Sequence, residues 1–323
     1  MKTHSIKVLA ILLGVFWLMA GCQKDDLTLD EPVVGNIAVS SRTSLRILPS
    51  GEYPYGQATS INKLGQIVGV TFGEFTFWDG DEMTHLSKGD QIFTWTTWAS
   101  INNRGQISGS TSEPLGSGYP FYWESRDGDL VQLPGGHGSA AAINNRGQVA
   151  GYANGRPIVW ENGVPNELPI GEFPGGGAYS INAQGDVVGT VGGQPALWRN
   201  GELSFLPSGE FMYCYALSIN SRKQIVGVAY STGWVSKPAL WENGQLTILP
   251  LGEYLSGIAY SINTRGQIVG YVVTTDWKDK PALWENGQLY ILPMDGHDEG
   301  VAYCINDRGQ IVGHVDNLPV LWE

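Results

Sequence analysis

The chain has 323 residues, of which 42% are hydrophobic and 15% charged, with 44 Gly, 12 Trp and 14 Tyr. This composition excludes a disordered chain and favours strands over helices, because Gly marks turns and aromatics suit pleated, half-buried surfaces. The formal net charge of −12 argues against nucleic acid or anionic head groups as partners.

The first segment stands outside the fold. Residues 1–7 are short and basic, residues 8–20 (VLAILLGVFWLMA) form an apolar run too short for a spanning helix, and small residues lead to Cys22. We read 1–21 as a signal peptide. Leu18-Met19-Ala20-Gly21-Cys22 closely resembles the lipobox of bacterial lipoproteins, which implies cleavage before Cys22 and lipidation of that residue. The resemblance places the protein in the bacterial cell envelope, held to the membrane by its lipid. The QKDD that follows resembles the acidic signal of outer-membrane lipoproteins of Bacteroidetes that face outward, so the expected address is the outer membrane, with the cell surface as an option. Removing Lys2 and Lys7 takes the charge from −12 to −14. Residues 22–43 are polar, contain Pro32 and lack periodicity, and read as a flexible tether.

From Ser44 onward the chain repeats itself. An Ile-Asn pair occurs at Ile61, Ile101, Ile143, Ile181, Ile219, Ile262 and Ile305, at intervals of 38 to 43 residues. Seven tryptophans keep step with it, from Trp78 to Trp322, and so does a Leu-Pro pair, with Leu86-Ser87 as its variant. Such a period marks one supersecondary unit used many times. In the sixth unit, IAYSIN, QIVGYVV, PALWE and QLYILP read as four strands, joined by turns at Thr264-Arg265-Gly266 and Asn286-Gly287. The turn between third and fourth strands is Asn-Gly or Asp-Gly in all six internal copies, Asp79-Gly80 and Asp127-Gly128 included, as a type I′ hairpin requires.

Repeated four-stranded antiparallel sheets point to an all-β, seven-bladed β-propeller over residues 44–323. The folded part starts on a fourth strand, residues 45–48, and the chain ends on a third, residues 319–323. Pairing these two in one blade closes the ring and hides both sheet edges, giving a monomeric propeller. The unit PALWENGQLTILPLGEYLSGIAYSINTRGQIVG resembles the HAF-repeat proteins of bacteria, which are extracellular and carry LWxxG followed by INxxGxxVG. The His-Ala-Phe that names that family is Pro-Ala-Leu here, and the family supplies no general activity.

The two rims of such a ring differ. One carries the turns with Arg104, Arg146, Arg222, Arg265 and Arg308 plus Lys63, a basic ring able to capture an anion or simply solvated. The repeated Asn is expected to cap its own turn rather than to bind a ligand. The other rim repeats Gly-Glu-aromatic at Glu52-Tyr53, Glu172-Phe173, Glu210-Phe211 and Glu253-Tyr254, and adds Trp95, Trp98, Trp234 and Trp277 outside the repeat. Trp98 stands where the other units have Ala three residues before Ile, so it breaks symmetry near the channel. Aromatics beside carboxylates suit sugar faces or a protein hot spot, or else pack blade on blade. The two main readings are a glycan-binding module and a docking scaffold for an envelope protein. A polysaccharide-cleaving enzyme comes third, because no catalytic triad, metal-ligand spacing or cofactor motif is present and the rim glutamates are themselves repeated. Cys214 and Cys304 are expected as small buried thiols.

Overall fold

The computed structural model describes residues 38–39, 43–52, 55–86, 95–112 and 118–323. Cys22 and Tyr53 lie outside the described residues, as does the side chain of Trp95. The architecture is the expected one, seven four-stranded antiparallel blades arranged around a channel. Blade 1 runs Gly56–Ile61, Ile67–Thr71, Glu74–Asp79 and Glu82–His85 from the centre outward. Blades 2 to 6 follow in the same order, with innermost strands Trp95–Ile101, Gly138–Ile143, Gly176–Ile181, Tyr213–Ile219 and Ser256–Ile262.

Blade 7 is assembled from both ends of the fold. Its inner strands are Gly300–Ile305, Ile311–Val315 and Leu318–Trp322, and its outer strand is Leu45–Ile47, paired Leu45 to Trp322 and Ile47 to Val320. Leu48, 1% exposed, continues the latch by donating its N–H to the Pro319 carbonyl at 2.8 Å. The tether expectation needs correcting at one place. Ala38–Val39 pairs in parallel with Tyr290 and Ile291, so a short strand covers the outer edge of blade 6 before the latch begins.

Each in-step tryptophan is the core of its blade, and all seven are fully buried. In six of them Nε1 donates to the carbonyl of the preceding Leu-Pro proline, as Trp78 does to Pro49 at 2.7 Å and Trp322 to Pro293 at 2.8 Å. That bond explains why two distant sequence features keep step: the indole needs a buried acceptor, and the strand end supplies it. Behind the indole the inner sheet is tight. A Cβ on Gly313 would collide with the Val301 carbonyl and crowd the Trp322 ring, which fixes Gly at the end of the Val-Gly pair.

The outer hairpins match the Asn-Gly expectation in four blades, where Asn162, Asn200, Asn243 and Asn286 all have φ 52° ahead of a positive-φ Gly. Blades 1 and 2 depart from it. Asp79 pairs with Glu82, so the turn residues are Gly80 and Asp81, one place later than expected. In blade 2 the third strand, Pro120–Trp123, and the fourth, Val131–Gln132, are joined by the longer connection 124–130, and Asp127-Gly128 lies inside it.

Candidate functional site

The innermost strands carry a bulge, one extra residue between two ladder pairs. In six blades it follows the small residue that faces Gly across the pair, as between Ala58 and Ser60 or Ala259 and Ser261. Blade 2 is one residue shorter there, and its bulge moves upstream between Thr96 and Trp98. Ala99, fully buried opposite Gly109, therefore takes the small position, and Trp98 does not replace it. The expectation from counting back three residues from Ile is corrected by that shift. Trp98 instead reaches Tyr303 of blade 7, edge to face, with ring centroids 5.6 Å apart.

Aromatic side chains crowd this end of the channel. Tyr260 stacks on Tyr271 and leans on Tyr303, at 5.8 and 5.6 Å, and Tyr303 lies 5.5 Å from the His314 ring. Burial holds the tyrosines far above their ordinary range. It also pushes His314 down to about 4, leaving a neutral imidazole. Burial together with Glu299 raises Asp279, near the same cluster, to about 6.

On the rim above, Trp234 and Trp277 occupy the loops between second and third strands of the adjacent blades 5 and 6. Both are exposed, 59% and 65%, and both sit in the left-handed region at φ 64° and 65°. Bulky side chains avoid that region. The loops copy the geometry of the Ile-Asn turns, in which a Gly such as Gly65, φ 90°, holds the equivalent place. Trp234 stacks on Tyr213, 5.4 Å between centroids and 14° between planes. Met212, Val235 and Leu255 are further exposed apolar residues in the same two blades, and Lys237 Nζ bridges to the Leu255 carbonyl at 3.4 Å.

The Glu-aromatic pairs divide. Phe173, Phe211 and Tyr254 pack against the cores of blades 4, 5 and 6, whereas Glu52, Glu172, Glu210 and Glu253 remain exposed. The repeat thus serves blade packing first. Glu52 also borders a hollow of about 220 Å³ with Phe72, Glu74 and His85.

The opposite face holds a network that sequence reasoning missed. Each repeated Asn caps its turn as expected, for example Asn220 Oδ1 accepting from the Arg222 and Gln224 N–H groups at 2.9 and 3.0 Å. Its Nδ2 does more, because it donates to the carbonyl of the corresponding Asn in the next blade. The series runs from Asn62 to Asn102, around all seven blades, and closes with Asn306 donating to Asn62 at 2.9 Å. From this ring a radial relay passes outward in each blade, as Asn263 to Gln267 to Glu285. Blade 4 keeps the relay with other chemistry: Asn182 bonds Asp186, and Asp186 pairs with Arg199 at 3.3 Å. The ring surrounds a depression of about 280 Å³ at the channel mouth. The regular spacing of Ile-Asn was the available signal, but only ring closure brings one blade's amide to the next blade's carbonyl.

No protein-family model matches the chain, and a search of curated proteins finds no relative. Solved structures resemble its fold. A virginiamycin B lyase from Staphylococcus aureus, crystallised with quinupristin, aligns with TM-score 0.62 and 10% identity over 87% of this chain and 99% of its own. The extracellular domain of a putative one-component system from B. thetaiotaomicron gives 0.58 and 10%, over 87% of this chain and 40% of that one. The WD40 β-propeller domain of Doa1 gives 0.53 and 13%, over 87% and 97%. These neighbours range from a lyase to a WD40 domain, and at such identities the similarity shows the β-propeller fold alone.

Proposed function

We propose that the protein is a non-catalytic, lipid-anchored binding module of the bacterial cell envelope, related to the HAF-repeat proteins, that takes a glycan on the aromatic rim of blades 5 and 6. One observation carries the reading: two neighbouring blades each hold an exposed Trp in a left-handed turn position where six of the seven Ile-Asn turns use Gly and the seventh Lys223. Such strain costs on the order of 1–3 kcal/mol per residue and persists where the side chain is needed in that place. Indole faces stack on the apolar faces of sugar rings, and the exposed Glu253 and half-buried Lys237 of the same blades supply hydrogen-bond partners for hydroxyls. Anchoring rests on Cys22 and the lipobox-like residues before it.

The test is a glycan-array and polysaccharide-gel screen of the full chain beside Trp234→Ala, Trp277→Ala and Trp98→Ala. Binding lost in the first two variants and kept in the third places the site on the rim loops. A second reading, an envelope protein docked on the same patch, is favoured by Met212, Val235 and Leu255, which offer sugar hydroxyls no side-chain hydrogen bond. Failure of every glycan to bind, with stoichiometric recovery of one envelope protein that the Trp234→Ala chain does not recover, would decide for that reading.

A further inference from the structure

One carboxylate on the aromatic rim breaks the repeat. Asp279 lies two residues after Trp277 and two before Pro281, which opens the third-strand motif of blade 6. Its counterparts are Gly73, Gly118, Gly155 and Gly193 in blades 1 to 4, Ser236 in blade 5 and Asn317 in blade 7, none of which ionises. The place is a junction between blades. At four other junctions the carbonyl of that counterpart accepts an N–H from the next blade's innermost strand, as Gly155 accepts from Gly176 at 3.0 Å and Asn317 from Gly56 at 2.7 Å. In blade 7 the residue ahead of that strand position is Glu299, so two carboxylates come together where blades 6 and 7 join.

Among the described residues nothing answers the Asp279 charge. Lys278 and Lys280 flank it but turn to Asp298, the first Nζ reaching the Asp298 carboxylate at 3.0 Å and the second its carbonyl at 2.6 Å, and the Asp279 side chain has neither hydrogen bond nor ion pair. A half-buried carboxylate without a partner costs stability, and one kept in a single copy of seven points to a partner from outside. The surroundings select the sign of that partner. Tyr260, Tyr271 and Tyr303 lie within range of the Asp279 charge, which joins burial in holding their phenols up, and the Tyr303 hydroxyl has no hydrogen-bond partner among the described residues. Ring faces and neutral hydroxyls beside a carboxylate favour a cation over an anion. Trp277, 65% exposed, is separated from Asp279 by at most about 7 Å of chain, close enough for one sugar ring to meet both.

We infer that the glycan held on the aromatic rim is amine-bearing, a hexosamine with its amino group free, whose ammonium is received by Asp279 and Glu299 while its ring lies on Trp277. The inference rests on the glycan reading and narrows it. An ammonium donates charge-assisted hydrogen bonds to the carboxylates and is drawn to indole and phenol faces, whereas an N-acetylated sugar presents a neutral amide and leaves Asp279 unanswered. The acidic chain, with a net charge of −12, adds a long-range pull on such a cation. A carboxylate that weakens the fold on its own and is stabilised by a ligand has the character of a binding residue.

The experiment is calorimetric titration of the full chain with the trisaccharide of β-1,4-linked glucosamine and with its fully N-acetylated form, the β-1,4-linked glucose trisaccharide serving as neutral reference. The amine form should bind at least about tenfold tighter than either of the others. Asp279→Asn keeps the size of the side chain and should erase that preference in a protein that still melts cooperatively. Glu202→Gln, an exposed change of equal charge on blade 4, should leave the preference intact, which separates a site from mere attraction of a cation to an acidic protein. The inference is overturned, with the glycan reading left standing, if the acetylated or neutral sugar binds as tightly or if Asp279→Asn keeps the amine preference. Binding of none of the three overturns it as well, and the glycan array then decides whether the broader reading survives.

Discussion

The closed asparagine ring makes a prediction that separates a local cap from a bond between blades. Asn220 is 5% exposed, and Asn220→Ala removes four hydrogen bonds at once. It strips the turn of its cap and removes one of the two donors to the Asn263 carbonyl, Nδ2 at 2.9 Å, leaving the Gly266 N–H at 3.1 Å. With about 1 kcal/mol for the cap and about 1 kcal/mol for the lost bond between blades, the loss is roughly 2 kcal/mol. Asn220→Asp is the informative partner. It keeps both accepted bonds at the turn but faces the Asn263 carbonyl with an acceptor. Gln224 can turn its amide to compensate, and a backbone carbonyl cannot. If the bond between blades matters, Asn220→Asp is nearly as destabilised as Asn220→Ala at pH 7. The new carboxyl is then held above its ordinary range in the fold, so stability returns as pH falls and the group protonates. Equilibrium urea unfolding read by tryptophan fluorescence measures both. An Asn220→Asp chain within about 0.5 kcal/mol of the unaltered protein at pH 7 refutes the role of the ring.

Three other perturbations test separate parts of the structure. Trp277→Gly relieves the φ of 65° and should leave the chain about 1 kcal/mol more stable than Trp277→Ala, which keeps the strain, with both losing the glycan; equal melting temperatures for the two would remove the strain argument. Leu48→Ala, at a 1% exposed position of the latch, should cost about 3 kcal/mol in urea unfolding, and a cost under about 1 kcal/mol would mean that the closing strand contributes little. Asp279, raised to about 6 in the fold, favours the folded state while protonated, so that contribution is complete below its ordinary value and is lost as pH rises through 6. Asp279→Asn should therefore melt higher than the unaltered chain at pH 8 and lose that advantage at pH 4, and a pH-independent difference would show that Asp279 does not titrate as described.

Most of the fold was legible because its signals are local and repeated seven times. Asn-Gly at Asn162, Asn200, Asn243 and Asn286 declares hairpins, and a Trp in step with Leu-Pro declares a blade core. Errors arose where one copy breaks step. Trp98 was aligned by counting from Ile101, and a bulge moved upstream shifts it by one place, something only the strand pairing reveals. The face carrying Trp234 and Trp277 was legible from loop position, but their left-handed backbone was not, since nothing in the sequence marks a Trp standing in a Gly position. The asparagine ring was invisible for a different reason. Its caps are local, whereas its blade-to-blade bonds span about 40 residues and exist only when the circle closes.

The mixed blade 7 also orders events in time. Ser44 Oγ donates to the Glu323 carbonyl across 279 positions. Closing so long a loop in an open chain costs roughly 5 kcal/mol of entropy, too much for an early contact of a few residues. Once six blades stand in an arc, the same two ends are neighbours and that cost has already been met. The latch is therefore the last element to form and the first to open. Bonds absent from the folding transition state set the unfolding rate. Changes at Leu45, Leu48 or Trp322 should shorten the lifetime of the native ring far more than they slow its assembly, and tightening those contacts is the direct route to a longer-lived one.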